Sequence, residues 1–178
     1  KTIALMIRQI DSLSAMAEEF SSFAKMPEPI LENIDLKLVL TDAVDLMEKE
    51  MGQPITLKIE VDTIPVLADP HQLGRIFNNI FKNAIQAIPD QQNSKSIVVR
   101  VEQNQKNVLI TVKDNGIGIK EMDKNRIFEP KFTTKNSGMG LGLSIIKNII
   151  ENYKGSITFE SQYGQGTTFT VSLPILNS

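Results

Sequence analysis

Apolar residues recur with a helical period in some parts of the chain and alternate with polar residues in others. The helical pattern predicts helices over 36–51, 70–88 and 141–153. The alternating pattern predicts strands over 55–61, 64–67, 96–103, 108–113, 156–161 and 167–173. Asp35 and Asp69 stand where N-cap residues would begin the first two helices. This order predicts an α+β fold with helices on one face of a mixed sheet.

The first 25 residues carry a separate apolar stripe with alternating spacings of three and four residues. Its members are Ile3, Met6, Ile10, Leu13, Ala17, Phe20 and Ala24. Such a stripe needs a partner helix, so we predict a bundle helix over 1–25 rather than a helix lying on its own domain. The prolines of segment 26–34 predict a linker, which leads to a domain over 35–178. Because the chain begins within a helical pattern, we expect it to be part of a longer protein.

The composition narrows the classes of function. The 178 residues have a net charge of −2, no cysteine and one histidine. The charge argues against nucleic acid and against direct membrane contact, and the lack of cysteine excludes thiol chemistry. No apolar run has the length of a membrane span or the form of a signal peptide.

Two asparagines, Asn79 and Asn83, lie four residues apart on a polar face of the predicted helix 70–88. Mg²⁺ prefers oxygen ligands and takes negative charge from phosphates, so amide oxygens suit it. The alternative is a solvated polar stripe, which is the better interpretation of this helix taken alone.

Asp114 ends an apolar strand and is followed closely by Gly116 and Gly118. A carboxylate there can accept a hydrogen bond from an exocyclic amine, and the glycines allow a flat ring to approach the backbone. An ordinary Asp-Asn-Gly turn is the alternative, but a hairpin would need a matching strand directly afterwards, and residues 119–124 do not provide one.

A second group of glycines, Gly138, Gly140 and Gly142, stands at the start of the predicted helix 141–153. Free amide groups and the helix dipole favour anions at such a position. The residues before it, 116–140, show little periodicity and predict a long mobile loop. Its lysines, Lys131 and Lys135, either reach phosphates or are ordinary surface lysines. Neither a P-loop nor a dinucleotide-binding motif is present.

In this order, the motifs resemble those of the ATP-binding domain of sensor histidine kinases, within the superfamily that includes gyrase, heat-shock chaperones and mismatch-repair ATPases. The matching segments are 79–84, 114–118, 127–135, 138–143 and 164–169. The third segment is most similar to the nitrogen-regulation type, apart from Lys131 where an aromatic residue is usual. The resemblance implies a Bergerat-type two-layer α/β sandwich, with residues 1–25 as the second helix of a dimerisation bundle.

The resemblance also implies ATP and Mg²⁺ as cofactors and assigns roles to single residues. By it, Asn83 holds Mg²⁺, Asp114 binds the adenine amine, Gly118 makes room for the ring, and the loop 138–142 closes over the triphosphate. The residues it implies for nucleotide binding are Asn79, Asn83, Asp114, Gly116, Gly118, Ile119, Phe128, Thr134, Lys135, Gly138, Gly140, Leu141, Gly142, Leu143 and Thr167. Those it implies for catalysis are Asn79, Lys82 and Lys135.

The implied activity is that of a protein-histidine kinase. Related ATPases that hydrolyse ATP carry an acidic base one turn before the metal asparagine; Asn79 stands there and cannot abstract a proton. Transfer of the phosphoryl group to another residue is therefore favoured over hydrolysis. The resemblance implies that this residue is a histidine in a homodimer and that the group then passes to a response-regulator receiver domain. It also implies a cytoplasmic location, which includes the cytoplasmic part of a membrane-bound receptor. The phosphoacceptor helix is missing from this sequence, and His71 is interpreted as a surface or capping residue. We expect the chain to bind ATP without phosphorylating itself.

Two alternatives remain. An anti-sigma serine kinase of the same superfamily lacks the leading bundle helix that residues 1–25 predict. A non-catalytic nucleotide-binding scaffold, acting by dimerisation, should show decayed motifs, whereas these motifs are intact.

Overall fold

Five strands form a mixed sheet in the computed structural model, which describes residues 6, 7, 10, 14, 28–52, 54–134 and 139–176. In chain order the elements are β1 (Glu32–Asp35), α1 (Leu36–Met51), β2 (Ile55–Ile59), β3 (Pro65–Ala68), α2 (Pro70–Ala87), β4 (Ile97–Gln103), β5 (Asn107–Asp114), a 3-10 helix (Glu121–Arg126), α3 (Gly142–Asn152), β6 (Ser156–Gln162) and β7 (Gly166–Pro174). No helix among the described residues is long and apolar enough to cross a bilayer.

The sheet has the strand order β2-β4-β5-β7-β6. The pair β2–β4 is parallel, and the remaining pairs are antiparallel. A separate antiparallel pair joins β1 to β3. Since β5 ends where β7 begins, residues after Asp114 and before Thr167 meet at one end of the sheet.

The helices cover one face of this sheet. Alternate strand residues such as Val99, Ile110 and Val171 are fully buried, whereas Arg100 and Lys113 on the opposite face are exposed. This is the burial expected of a sheet with one covered face. The predicted α+β fold with a mixed sheet is therefore confirmed.

The helices begin at the predicted caps. The Asp35 carboxylate accepts a hydrogen bond from the Lys37 amide at 3.0 Å, and the Asp69 carboxylate accepts one from the His71 amide at 2.8 Å. Side-chain oxygens at these positions satisfy amides that have no partner within the helix. The inner face of α2 is fully buried through Leu73, Ile76, Phe77, Ile80 and Phe81.

Two features differ from the sequence predictions. Strand β1 lies at the end of the segment predicted as a linker; it is short and its first residues are exposed, so no alternation marks it. The region 116–140 was predicted as one irregular loop, but it contains the 3-10 helix Glu121–Arg126. Most of the predicted helix 1–25 lies outside the described residues. The described positions 6, 7, 10 and 14 are helical and exposed.

Candidate nucleotide-binding site

Three polar side chains meet on the helix-covered face, at one end of the sheet. Asp114 comes from the end of β5, Thr167 from the start of β7 and Ser161 from the end of β6. The Asp114 carboxylate is 3% exposed, and its Oδ1 accepts hydrogen bonds from the amides of Gly116 at 2.8 Å and Thr167 at 3.2 Å. The structure thus brings two predicted site residues, Asp114 and Thr167, into direct contact.

Burial raises the pKa of the Asp114 carboxyl above its ordinary value, and hydrogen bonds from backbone amides, including those of Gly116 and Thr167, oppose the rise. A buried carboxylate with this balance lacks the hydration that would stabilise its charge. It is therefore suited to accept a further hydrogen bond from a ligand.

Ser161 is a site residue that the sequence did not reveal. Its hydroxyl accepts a hydrogen bond from the Ile119 amide at 2.8 Å, donates to the Gly166 carbonyl at 3.0 Å, and lies 3.0 Å from Thr167 Oγ1. The available signal was its register, because Ser161 follows Ile157 at even spacing and so lies on the same inner face. Only the pairing of β6 with β7 sets it opposite Thr167.

Gly116 and Gly118 make room for protein backbone. A Cβ on Gly116 would lie 2.5 Å from the Ala87 carbonyl oxygen. A Cβ on Gly118, where φ is +66°, would lie 2.2 Å from the Gln162 carbonyl oxygen. The sequence predicts that the missing side chains admit a flat ring; in the structure they allow this loop to pack against the end of α2 and the β6–β7 turn.

The polar face of α2 lies against the start of α3. Asn79 is half-buried, its Nδ2 donates to the Arg75 carbonyl at 3.3 Å, and its Oδ1 lies 2.6 Å from where a Cβ on Gly142 would stand. Asn83 is half-buried one turn later on the same helix. Among the described residues, no side-chain hydrogen bond caps the first turn of α3. The side-chain amide of Asn79 therefore lies beside the backbone amides at the start of α3.

These groups fit a hydrated cation that is shared with phosphates. Among the described residues, no three acidic, histidine or cysteine side chains converge on a metal site. A metal ion at Asn83 would therefore take its other ligands from phosphate oxygens and water, which is the usual habit of Mg²⁺.

Phe128, which follows the 3-10 helix, packs against the sheet. Its ring contacts that of Phe159 edge to face, with centroids 5.9 Å apart, and the Lys147 ammonium lies 5.4 Å from the Phe128 centroid. Further along the chain, the Lys131 amide donates a hydrogen bond to the Gly140 carbonyl at 3.0 Å. This bond holds the backbone at Lys131 beside the backbone at Gly140.

The remaining predicted residues divide by exposure. Leu141 is buried, whereas Ile119, Gly140, Gly142 and Leu143 are partly buried. The side chains of Lys82, Lys131, Thr134 and His71 are exposed, and the backbone amide of His71 bonds to the Asp69 cap. Lys135 and Gly138 lie outside the described residues.

Comparisons with known proteins agree with this geometry. A family profile described as "Histidine kinase-, DNA gyrase B-, and HSP90-like ATPase" matches residues 68–177. Sporulation kinase E of Bacillus subtilis is 34% identical over 171 residues, which cover 94% of this chain and 23% of that protein. The sensor histidine kinase ZraS of Escherichia coli is 34% identical over 174 residues, covering 96% of this chain and 37% of ZraS. The chain thus spans well under half the length of these relatives.

A solved structure, the catalytic domain of the histidine kinase ThkA, aligns with a TM-score of 0.72 and 28% identity over 82% of this chain and 95% of that domain. The full-length ShkA structure, in complex with AMPPNP, aligns over 99% of this chain with a TM-score of 0.80 and 22% identity, which is a likeness of fold. Because the family profile covers more than half of the sequence, the chain belongs to the histidine kinase-, DNA gyrase B- and HSP90-like ATPase family, and its ATP-binding domain is of the histidine-kinase type.

Proposed function

We propose that this chain binds ATP with Mg²⁺ and forms the catalytic part of a sensor histidine kinase. The observation that carries the proposal is the buried Asp114 carboxylate, which lies at one end of the sheet and makes its two backbone hydrogen bonds through Oδ1. Its second oxygen is the acceptor that we assign to the exocyclic amine of adenine. The buried setting strengthens such a bond, since water competes less for it.

The phosphates are assigned to the junction of α2 and α3. The first turn of α3, which no described side chain caps, offers amide donors and a partial positive charge to an anion. Asn79 lies directly beside that turn, and Asn83 follows it. We assign Mg²⁺ to Asn83, where it would supply neutralisation of phosphate charge. Lys82 and Thr134, whose side chains are exposed, are assigned to the solvent side of the phosphates, and Lys135 is assigned a role in catalysis from the sequence alone.

Transfer to a protein side chain, rather than hydrolysis, is supported by the residue at position 79. An amide cannot take a proton from water, so the site lacks a general base at the position next to the metal ligand. Positioning and charge neutralisation, which the amides of α3 and the two asparagines can supply, account for most of the catalysis of phosphoryl transfer.

For the whole protein, we propose a homodimer that phosphorylates a histidine and passes the phosphoryl group to a response-regulator receiver domain. The names of the relatives, a sporulation kinase and a sensor histidine kinase, support this proposal. The exposure of Met6 and Ile10, at 59% and 63%, is what a bundle helix needs before its partner covers it.

The test is ATP affinity by calorimetry, with and without Mg²⁺, for the chain and for Asp114→Ala. We expect magnesium-dependent binding that the substitution abolishes. The second step adds a separate protein carrying a histidine-bearing bundle helix and radiolabelled ATP. Acid-labile phosphohistidine on the added protein supports the proposal, whereas phosphoserine would indicate a serine kinase. Binding without any transfer would leave a nucleotide-binding scaffold, and a chain that does not bind ATP would refute the proposal.

A further inference from the structure

We infer that Ser161 is a specificity-determining residue, which orients the Thr167 hydroxyl so that this hydroxyl faces the base as a hydrogen-bond acceptor. This inference rests on the proposed function and deepens it. It concerns the choice between an amino-purine and an oxo-purine nucleotide.

The argument begins with the single proton of the Ser161 hydroxyl. A serine hydroxyl has one donor and two acceptor positions. The Gly166 carbonyl, 3.0 Å away, can only accept, so the Ser161 proton goes there. The Ile119 amide, at 2.8 Å, can only donate, so it takes one acceptor position. Ser161 is then left with one acceptor position for its third neighbour.

That neighbour is the Thr167 hydroxyl, whose Oγ1 lies 3.0 Å from Ser161 Oγ. Since Ser161 has no second proton, Thr167 must donate in this contact. The Thr167 hydroxyl therefore turns its proton towards Ser161 and keeps only lone pairs for a ligand. Its orientation is set by Ser161 and not by the ligand.

Three backbone donors nearby are committed as well. The amides of Gly116 and Thr167 both bond to Asp114 Oδ1, and the amide of Ile119 bonds to Ser161. The Asp114 carboxylate, when ionised, is an acceptor at both oxygens. The side chains of Asp114 and Thr167 thus offer a ligand a carboxylate and a hydroxyl lone pair, which match the two protons of an exocyclic amine and repel a carbonyl oxygen.

Without Ser161, the Thr167 hydroxyl can rotate and donate to a carbonyl. The site would then accept a 6-oxo-purine more readily, and it would hold the 6-amino-purine less firmly. A hydrogen bond of ordinary strength corresponds to a change of about tenfold in the ratio of the two affinities.

The experiment measures dissociation constants for ATP and inosine triphosphate, which carries an oxygen in place of the amine. It compares the wild-type chain with Ser161→Ala, Ser161→Thr and Thr167→Val. We expect the preference for ATP to fall about tenfold in Ser161→Ala and Thr167→Val, and to return in Ser161→Thr, which keeps a hydroxyl. The control is Ser156→Ala, an exposed serine on the same strand, which should keep the wild-type ratio.

A purely structural role predicts another result, in which both affinities fall together and the ratio is unchanged; that result would overturn the inference. If Ser161→Ala does not fold, Thr167→Val decides, because it keeps the backbone amide that bonds to Asp114. An unchanged ratio in that variant also overturns the inference while ATP binding, and with it the proposed function, stands. A wild-type chain that binds neither nucleotide would refute both.

Discussion

Replacing Asp114 by asparagine should separate nucleotide binding from stability. Asparagine has nearly the same shape, and its Oδ1 can still accept the hydrogen bonds that Gly116 and Thr167 donate to Asp114 Oδ1 at 2.8 and 3.2 Å. The change replaces only the second oxygen and the negative charge, so an NH₂ group would face the ligand amine. We therefore expect Asp114→Asn to fold normally and to bind ATP weakly.

The size of the loss follows from the bond that is removed. A hydrogen bond to a charged group contributes about 1.5–3 kcal/mol, and each 1.4 kcal/mol is a factor of ten in affinity. ATP binding should therefore weaken by about 10- to 150-fold. We expect the upper end of that range, because the NH₂ group of the new asparagine and the ligand amine would both be donors.

Stability should change in the opposite direction. Burial raises the pKa of Asp114, so the folded protein holds the charged form less well than the unfolded chain does. The cost is present above the folded pKa and disappears as the pH falls below the unfolded value of 3.8. The variant should therefore have a higher free energy of unfolding than the wild type near neutral pH, and the difference should shrink as the medium is acidified.

Calorimetry with ATP and Mg²⁺ gives the affinity, and urea unfolding near neutral pH and at about pH 4 gives the stability. Asp62→Asn is the control, since Asp62 is exposed between β2 and β3 and should change neither quantity. Unchanged ATP affinity in Asp114→Asn would contradict the role of the carboxylate. A joint fall of affinity and stability would mean that Asp114 supports the fold and does not bind the base.

Three further substitutions test the backbone at Gly140, the helix α2 and the cap of α2. A Cβ on Gly140 would lie 2.3 Å from the Phe132 carbonyl oxygen, so Gly140→Ala should weaken ATP binding at least about tenfold by calorimetry, whereas Gly52→Ala, with φ +60° and open surroundings, should not. Gly74→Ala should raise the free energy of unfolding by about 1 kcal/mol in urea titration, because the new Cβ would meet nothing within 4 Å beyond its chain neighbours and the adjacent backbone of its own helix. Burial alone would raise the pKa of Asp69, but three backbone hydrogen bonds and a nearby histidine lower it below its ordinary value. The ionised Asp69 therefore stabilises the folded protein above pH 3.8, and this stabilisation is lost as the pH falls through the folded pKa. Asp69→Asn should flatten that part of the unfolding profile, and an unchanged profile would contradict the assignment.

The fold was largely predictable because local signals agreed with one another. The helices 36–51 and 70–88 had both an apolar period and an aspartate at the cap, and both caps make their bonds in the structure. Strand β1 had neither signal. It forms because β3 provides a partner in the register Glu32↔Ala68. A pattern of four residues does not predict such a pairing.

The site was predictable only where one residue type carried the chemistry. Asp114 could be identified from its place between a strand and two glycines, and Asn79 from its helix face. Ser161 could not, since its importance depends on strand β6 pairing with β7. The glycines show another limit: their positions were informative, but the sequence does not reveal that the Ala87 and Gln162 carbonyl oxygens lie within 2.5 and 2.2 Å of where a Cβ on Gly116 and Gly118 would stand.

Features that disfavour folding when taken singly cluster at this end of the domain. The Asp114 carboxyl is buried, no side chain in the described part of the chain caps α3, and Lys131 has a left-handed backbone with φ +68°. Each lowers the stability of the domain alone. A nucleotide offers what two of them lack, because an amine can donate to the carboxylate and phosphate oxygens can accept from the amides of α3. The local costs and the proposed function therefore have one physical origin, in that groups held ready for a ligand are groups that the protein itself leaves incompletely satisfied.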